Sequence, residues 1–180
     1  GLDNLSYVVF LEEIGRANLA VCTAMSVHMS TVGKTIEQWG TPEQKRKYLP
    51  RMARGEILGC FGATEPNIGS DVANVETTAT RDGGGWVLNG TKMFSTNGGV
   101  AGVALIITQA DKSQGYRGIT AFLVERDTPG FTSREIHGKM GQRCSSTAEI
   151  VMDNCRVPGD AVLGGQVGTG FKIAMSALDR

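Results

Sequence analysis

Two carboxylates and two hydroxyls, those of Glu65, Asp71, Thr64 and Ser70, crowd into the stretch Gly62-Ala63-Thr64-Glu65-Pro66-Asn67-Ile68-Gly69-Ser70-Asp71. Such side chains grip the polar edge of a bound molecule or move its protons. Pro66 fixes one φ at about −65°, and Gly62 and Gly69 let the backbone approach something outside it. The stretch therefore suits a polar, planar or phosphorylated ligand. The same residue types also build ordinary surface turns, so composition alone leaves both readings open. Glu65 likewise has two roles open to it, a general base or a structural carboxylate accepting backbone N–H bonds.

Other chemistry is thinly represented. His28 and His137 are far apart and have no neighbouring ligand pattern for a metal, so they read as structural or surface histidines. Gly164-Gly165-Gln166-Val167-Gly168-Thr169-Gly170 matches neither the dinucleotide fingerprint nor a P-loop and reads as a connecting loop. Cys22, Cys60, Cys144 and Cys155 show no CxxC spacing, and their surroundings suit reduced, buried thiols.

The elements that hold the Gly62–Asp71 loop are legible on both sides. Tyr7, Leu11, Ile14, Val21, Met25 and Met29 recur at helical intervals, which predicts one amphipathic helix over Leu5 to Met29. A second helix is expected from Val32 to Trp39, with Gly40 as a left-handed C-terminal residue. A third starts at Thr41-Pro42-Glu43-Gln44, where Thr41 caps, Pro42 loses nothing by lacking an N–H, and Gln44 can close a capping box. Lys45, Arg46 and Lys47 then read as its solvated face.

Of the 25 glycines, only Gly1, Gly15, Gly33 and Gly40 precede Gly55, and beyond it β-branched runs replace the helical period. Strands are expected at Ile57–Phe61, Val75–Arg81, Trp86–Asn89, Lys92–Ser95, Val103–Gln109, Ile119–Glu125, Thr132–His137 and Thr147–Met152, with Asp82-Gly83-Gly84-Gly85 and Asn89-Gly90 as hairpin turns. A new helical stripe runs from Phe171 to Arg180. The fold class is thus α+β: an N-terminal α-helical segment (1–55), an all-β, barrel-like middle domain (56–165) and the start of a C-terminal helical domain (166–180).

Across the whole chain, 180 residues with 41% apolar content can bury a large core and part of another. Eighteen basic and eighteen acidic residues cancel, so the basic footprint of a nucleic-acid binder is missing. No apolar run approaches the roughly 20 residues of a membrane span. Together with the reduced thiols this predicts a reducing compartment, the cytoplasm or, in a eukaryote, the mitochondrial matrix. The chain starts at Gly1 and stops at Arg180 inside a helical pattern, and is expected to be a fragment of something longer.

The run Ala63-Thr64-Glu65-Pro66, followed by Gly69-Ser70-Asp71, resembles the signature loop of the acyl-CoA dehydrogenase family. Four further stretches resemble it in the same order: Trp86-Val87-Leu88-Asn89-Gly90-Thr91-Lys92, Phe94-Ser95-Thr96-Asn97, Lys139-Met140-Gly141-Gln142-Arg143-Cys144-Ser145-Ser146-Thr147 and Gly170-Phe171-Lys172-Ile173-Ala174-Met175. The resemblance implies FAD lying between a β-domain and a C-terminal helical bundle, with an acyl-CoA thioester stacked on it. Its reaction removes an α-proton with a carboxylate base while the β-hydrogen leaves as hydride to the flavin, and the electrons pass to an electron-transfer flavoprotein.

Carried over by position, Phe61, Ala63 and Thr64 line the flavin, and Ser70 contacts both cofactor and acyl-CoA. Phe94, Ser95 and Thr96 cover its face and reach its N5 region, and Asp179 stands near the CoA moiety. Phe94 replaces a frequent Trp and Asn67 a frequent Gly. Glu65 takes the structural role, so the catalytic base is expected beyond residue 180. The resemblance also implies a tetramer. Alternatives are an oxidase or flavin monooxygenase on the same fold, or a non-catalytic β-barrel binding module.

Overall fold

A computed structural model describes residues 3–179. Four helices come first: α1 (Asn4–Ala17), α2 (Leu19–Ser26), α3 (Lys34–Trp39) and α4 (Pro42–Ala53). The single helix expected over Leu5 to Met29 is broken at Asn18. This residue is extended (φ −160°, ψ 106°), donates its N–H to the Ile14 carbonyl, and accepts from the Ala20 and Val21 amides on its side chain. An apolar period cannot show a break whose cause is one capping side chain.

Past the break the helix does not stop at Met29. A π-helical segment, Val27–Gly33, carries α2 directly into α3, so no separate helix starts at Val32. Gly40 is extended (φ −66°, ψ 150°) rather than left-handed; it is glycine because a Cβ there would lie 2.5 Å from the Ile36 carbonyl oxygen. The capping box at α4 is present, with Gln44 N–H donating to the Thr41 hydroxyl (3.2 Å) and Thr41 N–H to the Gln44 side chain (3.0 Å). The basic face of α4 is not wholly given to water, since Lys47 reaches Glu125 at 2.7 Å.

Seven strands follow: β1 (Gly59–Gly62), β2 (Thr78–Asp82), β3 (Gly85–Thr96), β4 (Val103–Gln109), β5 (Ile119–Glu125), β6 (Phe131–Glu135) and β7 (Thr147–Pro158). They form one mixed sheet in the order β1-β4-β2-β3-β7-β6, with β5 pairing β4. β1 and β2 run parallel to β4, and the other pairs are antiparallel. The sheet is a curled half-barrel rather than a closed barrel. An isolated bridge from Phe122 to Val162 draws the chain after β7 back onto β5.

The two strands expected at Trp86–Asn89 and Lys92–Ser95 are a single one, β3, so Asn89-Gly90 is not a hairpin turn. Leu88 faces Cys155 and Gly90 faces Met152, which leaves Asp153 and Asn154 bulged opposite Asn89, whose side chain accepts from the Asn154 amide at 2.8 Å. Gly90 serves close approach: its φ is 146°, and a Cβ would stand 2.6 Å from the Thr77 hydroxyl. β2 starts at Thr78 rather than Val75, after a 3₁₀ turn over Val72–Asn74.

Strands β4 and β5 are buried on both faces, and residue parity divides them between two cores. Val103, Leu105, Ile107, Ile119, Ala121 and Leu123 pack with Val32, Ile36, Tyr48 and Met52 of the helices. Ala104, Ile106, Phe122 and Val124 point into the curl with Trp86, Leu88, Ile150 and Met152. The last element, α5 (Gly170–Leu178), lays Ile173 and Ala174 on the first core; Arg180 lies outside the described residues. Gly170 permits this contact, because a Cβ would meet the Thr120 backbone at 2.6 Å.

Cys60 and Cys155 are buried, and Cys22 half-buried, as expected of inert thiols, but Cys144 is exposed, because it lies in the loop between β6 and β7 rather than on a strand whose face is buried. All four are free. Burial pushes the Cys60 thiol up to about 12 and the Cys155 thiol up to about 11. Among the described residues no helix is long and apolar enough to cross a membrane.

Candidate functional site

The end of β1 and the end of β3 meet. Met93 N–H donates to the Thr64 carbonyl at 2.8 Å, which sets the loop after Gly62 beside the segment Phe94–Thr96. On β3, Lys92 faces Ile150 and Ser95 faces Ala148, so Met93 and Phe94 together oppose only Glu149. That bulge holds Phe94 at φ 56°, an uncommon backbone for an aromatic residue, and leaves its ring 62% exposed. Backbone strain of this kind gathers at ligand sites.

The residues expected to line a flavin fall as follows. Phe61 is half-buried against the first core, Ala63 is buried, and Thr64 and Thr96 are half-buried. Neither threonine hydroxyl has a side-chain hydrogen bond among the described residues. Ser95 is 1% exposed, and its hydroxyl has no partner either. Ser70 is exposed on the loop that follows the tight turn Glu65–Ile68, in which each backbone amide bonds the other's carbonyl.

Asp179, by contrast, ends α5 and lines a cavity of about 850 Å³ with Asn4, Tyr7, Ser26, Met29 and Lys34. Ser70 does not line that cavity.

Beneath the loop lies a group that sequence reasoning passed over. The Lys92 ammonium is fully buried and donates to Glu65 Oε1 at 2.7 Å. Glu65 accepts in addition the Glu76 amide (2.6 Å) and the Thr77 amide (2.8 Å). Three of its roughly four acceptor sites are thus taken by the protein itself and the residue is 4% exposed, which fits the structural role expected of it. Burial pulls Lys92 down to about 8 against the opposing charge of Glu65. Burial also pushes Glu65 up, but the Lys92 charge and the bonds from Lys92, Thr77 and Glu76 outweigh it and hold the carboxyl below its ordinary value.

Two more side chains tie the site to the helices. The Asn97 side-chain amide donates to the carbonyls of Ala24 (2.9 Å) and Gly59 (3.1 Å). His28 accepts the Gly59 amide on Nδ1 (3.1 Å), which puts its proton on Nε2, facing the Met52 carbonyl at 3.2 Å. His28 is thus a structural histidine, and His137 is exposed. The sequence placed Asn97 in a motif and read His28 as a structural or surface histidine, but it could not show their partners, which are distant in the chain.

The comparison with known proteins follows the same outline. The family model described as acyl-CoA dehydrogenase, middle domain, matches residues 60–155, and that of the N-terminal domain matches residues 1–56. The chain belongs to the acyl-CoA dehydrogenase family. It is 44% identical over 180 residues to the short-chain specific acyl-CoA dehydrogenase of Megasphaera elsdenii, covering 99% of this chain and 47% of that one.

Among solved structures, it superposes with a TM-score of 0.92 and 42% identity on a glutaryl-CoA dehydrogenase from Mycobacterium smegmatis in complex with FADH2, over 99% of this chain and 45% of that. It superposes with a TM-score of 0.96 and 43% identity on a chain solved in work on the electron transferring flavoprotein of Acidaminococcus fermentans, over 99% of this chain and 47% of that. The chain spans less than half the length of the relatives it matches.

Proposed function

We propose that the protein to which this chain belongs is a flavin-dependent acyl-CoA dehydrogenase that converts an acyl-CoA thioester to the 2,3-enoyl-CoA. The observation that carries the reading is the junction of β1 and β3, where the Met93–Thr64 bond brings the segment of a strained, exposed Phe94 to that of Thr64, and the part-exposed hydroxyls of Thr64 and Thr96 have no side-chain partner among the described residues. An aromatic face flanked by unspent hydroxyls fits a flat group with a polar edge, as FAD has.

In this reading Phe61, Ala63 and Phe94 pack on the flavin, the Thr64 and Thr96 hydroxyls meet its polar atoms, and Ser95 lies in the segment between Phe94 and Thr96. Bound FAD supplies the two-electron acceptor. Ser70, exposed beside that site, contacts cofactor and acyl-CoA, and Asp179 contributes to the CoA side. Glu65 holds the loop and leaves proton abstraction to a carboxylate outside residues 1–180. The units run 1–55, 56–165 and 166–180. An electron-transfer flavoprotein is the acceptor, in keeping with the relative of Acidaminococcus fermentans. The exposed Leu5, Val8, Val9 and Leu178 suit burial in a homotetramer. The compartment is the cytoplasm or, in a eukaryote, the mitochondrial matrix; a relative from Solanum tuberosum, 43% identical over 178 residues, is named as mitochondrial.

The test is the visible spectrum of the purified full-length protein. It should carry flavin absorbance that an acyl-CoA bleaches under anaerobic conditions. A protein that stays colourless after incubation with FAD overturns the reading.

A further inference from the structure

Lys92 is the one buried lysine or arginine among the described residues. A buried ion pair does little for stability that a well-packed apolar pair would not do, so its presence asks for another cause. Here the cause is geometric. Lys92 opens the bulged segment of β3, followed by Met93 and then Phe94, Ser95 and Thr96. Glu65 follows Thr64 on the other segment.

The ammonium bonds Glu65 at 2.7 Å and lies 3.4 Å from the Ala63 carbonyl, so it grips the loop on both sides of Thr64, while the next amide, Met93, bonds the Thr64 carbonyl itself. The carboxylate is pinned from behind by the Glu76 and Thr77 amides and has nowhere to swing. The Lys92 stem is confined as well. A Cβ on Gly62 would come within 3.1 Å of Lys92 Cγ and 2.7 Å of Ile106 Cδ1, so glycine is what leaves the stem its channel.

We propose that Lys92 is a positioning residue: clamped on Glu65, it fixes the Ala63–Glu65 backbone against the Phe94–Thr96 bulge and so sets the spacing of the Thr64 and Thr96 hydroxyls that receive FAD. This rests on the FAD reading above. Loss of the ammonium frees the loop to drift, and a group held a fraction of an ångström out of place loses much of its value to a rigid ligand.

The experiment uses the full-length protein stripped of flavin, as parent, Lys92→Met, Glu65→Asp and Leu88→Val. Lys92→Met keeps the stem and removes the charge. Glu65→Asp keeps both charges but draws the carboxylate back by one methylene. Leu88→Val opens a cavity in the same strand, at a buried position whose contacts lie in the curl. FAD dissociation constants, the spectrum of the bound flavin and melting temperatures are measured where every variant is folded.

Lys92→Met and Glu65→Asp should each weaken FAD binding about tenfold or more and displace the flavin absorption bands. Leu88→Val should lower the melting temperature while changing the dissociation constant less than about twofold. Should Lys92→Met fail to fold, Glu65→Asp alone decides. Parental affinity and spectrum in the folded clamp variants, or an equal loss in Leu88→Val, overturns the positioning role and leaves the FAD reading intact. A parent that takes up no FAD overturns both.

Discussion

The side chain of Asn97 reaches back to the carbonyl of Ala24, joining the end of β3 to the middle of a helix at 2.9 Å from a backbone held at φ 67°. The same amide bonds Gly59, so one residue ties α2, β1 and β3 together just past the bulge that presents Phe94.

Asn97 therefore does two separable things. Asn97→Gly keeps the left-handed backbone and removes both donors; the Ala24 carbonyl still accepts the Val27 amide, so the loss is that of two hydrogen bonds rather than of two orphaned groups and should be about 1–2 kcal/mol. Asn97→Ala removes the donors and strains the backbone, and should cost about 1 kcal/mol more. Urea denaturation of the two variants beside the parent checks the order; an alanine variant as stable as the glycine one would mean the backbone angle is not held by the fold.

Gln44 should tolerate no charge, although glutamate is the usual partner in a capping box. Its oxygen accepts the amides of Thr41 and Gly164, both at 3.0 Å, while its nitrogen donates to the carbonyls of Asp160 and Val162, both at 2.8 Å. Gln44→Glu turns a carboxylate oxygen on those two carbonyls. The expected loss is about 2–3 kcal/mol, read from chemical denaturation at pH 7, and it should shrink as the pH falls and the new carboxyl takes up a proton.

Acid should weaken the protein through His28. Burial lowers its pKa below the ordinary value near 6.5, with the Met52 carbonyl opposing in part. The folded state thus binds fewer protons than the unfolded chain, and the stability His28 contributes is complete above about pH 6.5 and is lost as pH falls through the lower folded value. Protonated Nδ1 can no longer accept the Gly59 amide. His28→Asn keeps an acceptor and cannot titrate, so the gap in unfolding free energy between parent and variant should narrow, or change sign, from pH 7.5 to 5.5. A gap constant with pH would exclude His28 as the titrating group.

Local chemistry was readable and distant chemistry was not. The Thr41-Pro42-Glu43-Gln44 cap is visible in sequence because both halves of the box lie within one turn. The other half of Gln44, its bonds to residues 160–164, is invisible for the opposite reason. Asn89-Gly90 carries the chemistry of a hairpin turn, yet tertiary crowding by Thr77 explains its glycine.

At the site, Thr64, Ser95, Thr96 and Phe94 could be named from the motifs that hold them. Lys92 stands in such a motif too, yet nothing near it in the chain shows its partner. Only the approach of Glu65, from another strand end, turns it inward. Cys144 erred the other way, exposed where a buried thiol was expected.

The pairing of β3 with β7 joins Gly85 to Pro158 and Thr96 to Thr147, across the whole β4–β6 segment. During synthesis, then, β3 leaves the ribosome well before its principal partner exists, and so does the Lys92 ammonium with it. A half-made sheet with an open edge invites pairing with a neighbouring chain. The bulge at Met93–Phe94 and the buried charge at Lys92 both fall on that waiting edge, where they interrupt the flat, apolar ladder that a second nascent chain could copy.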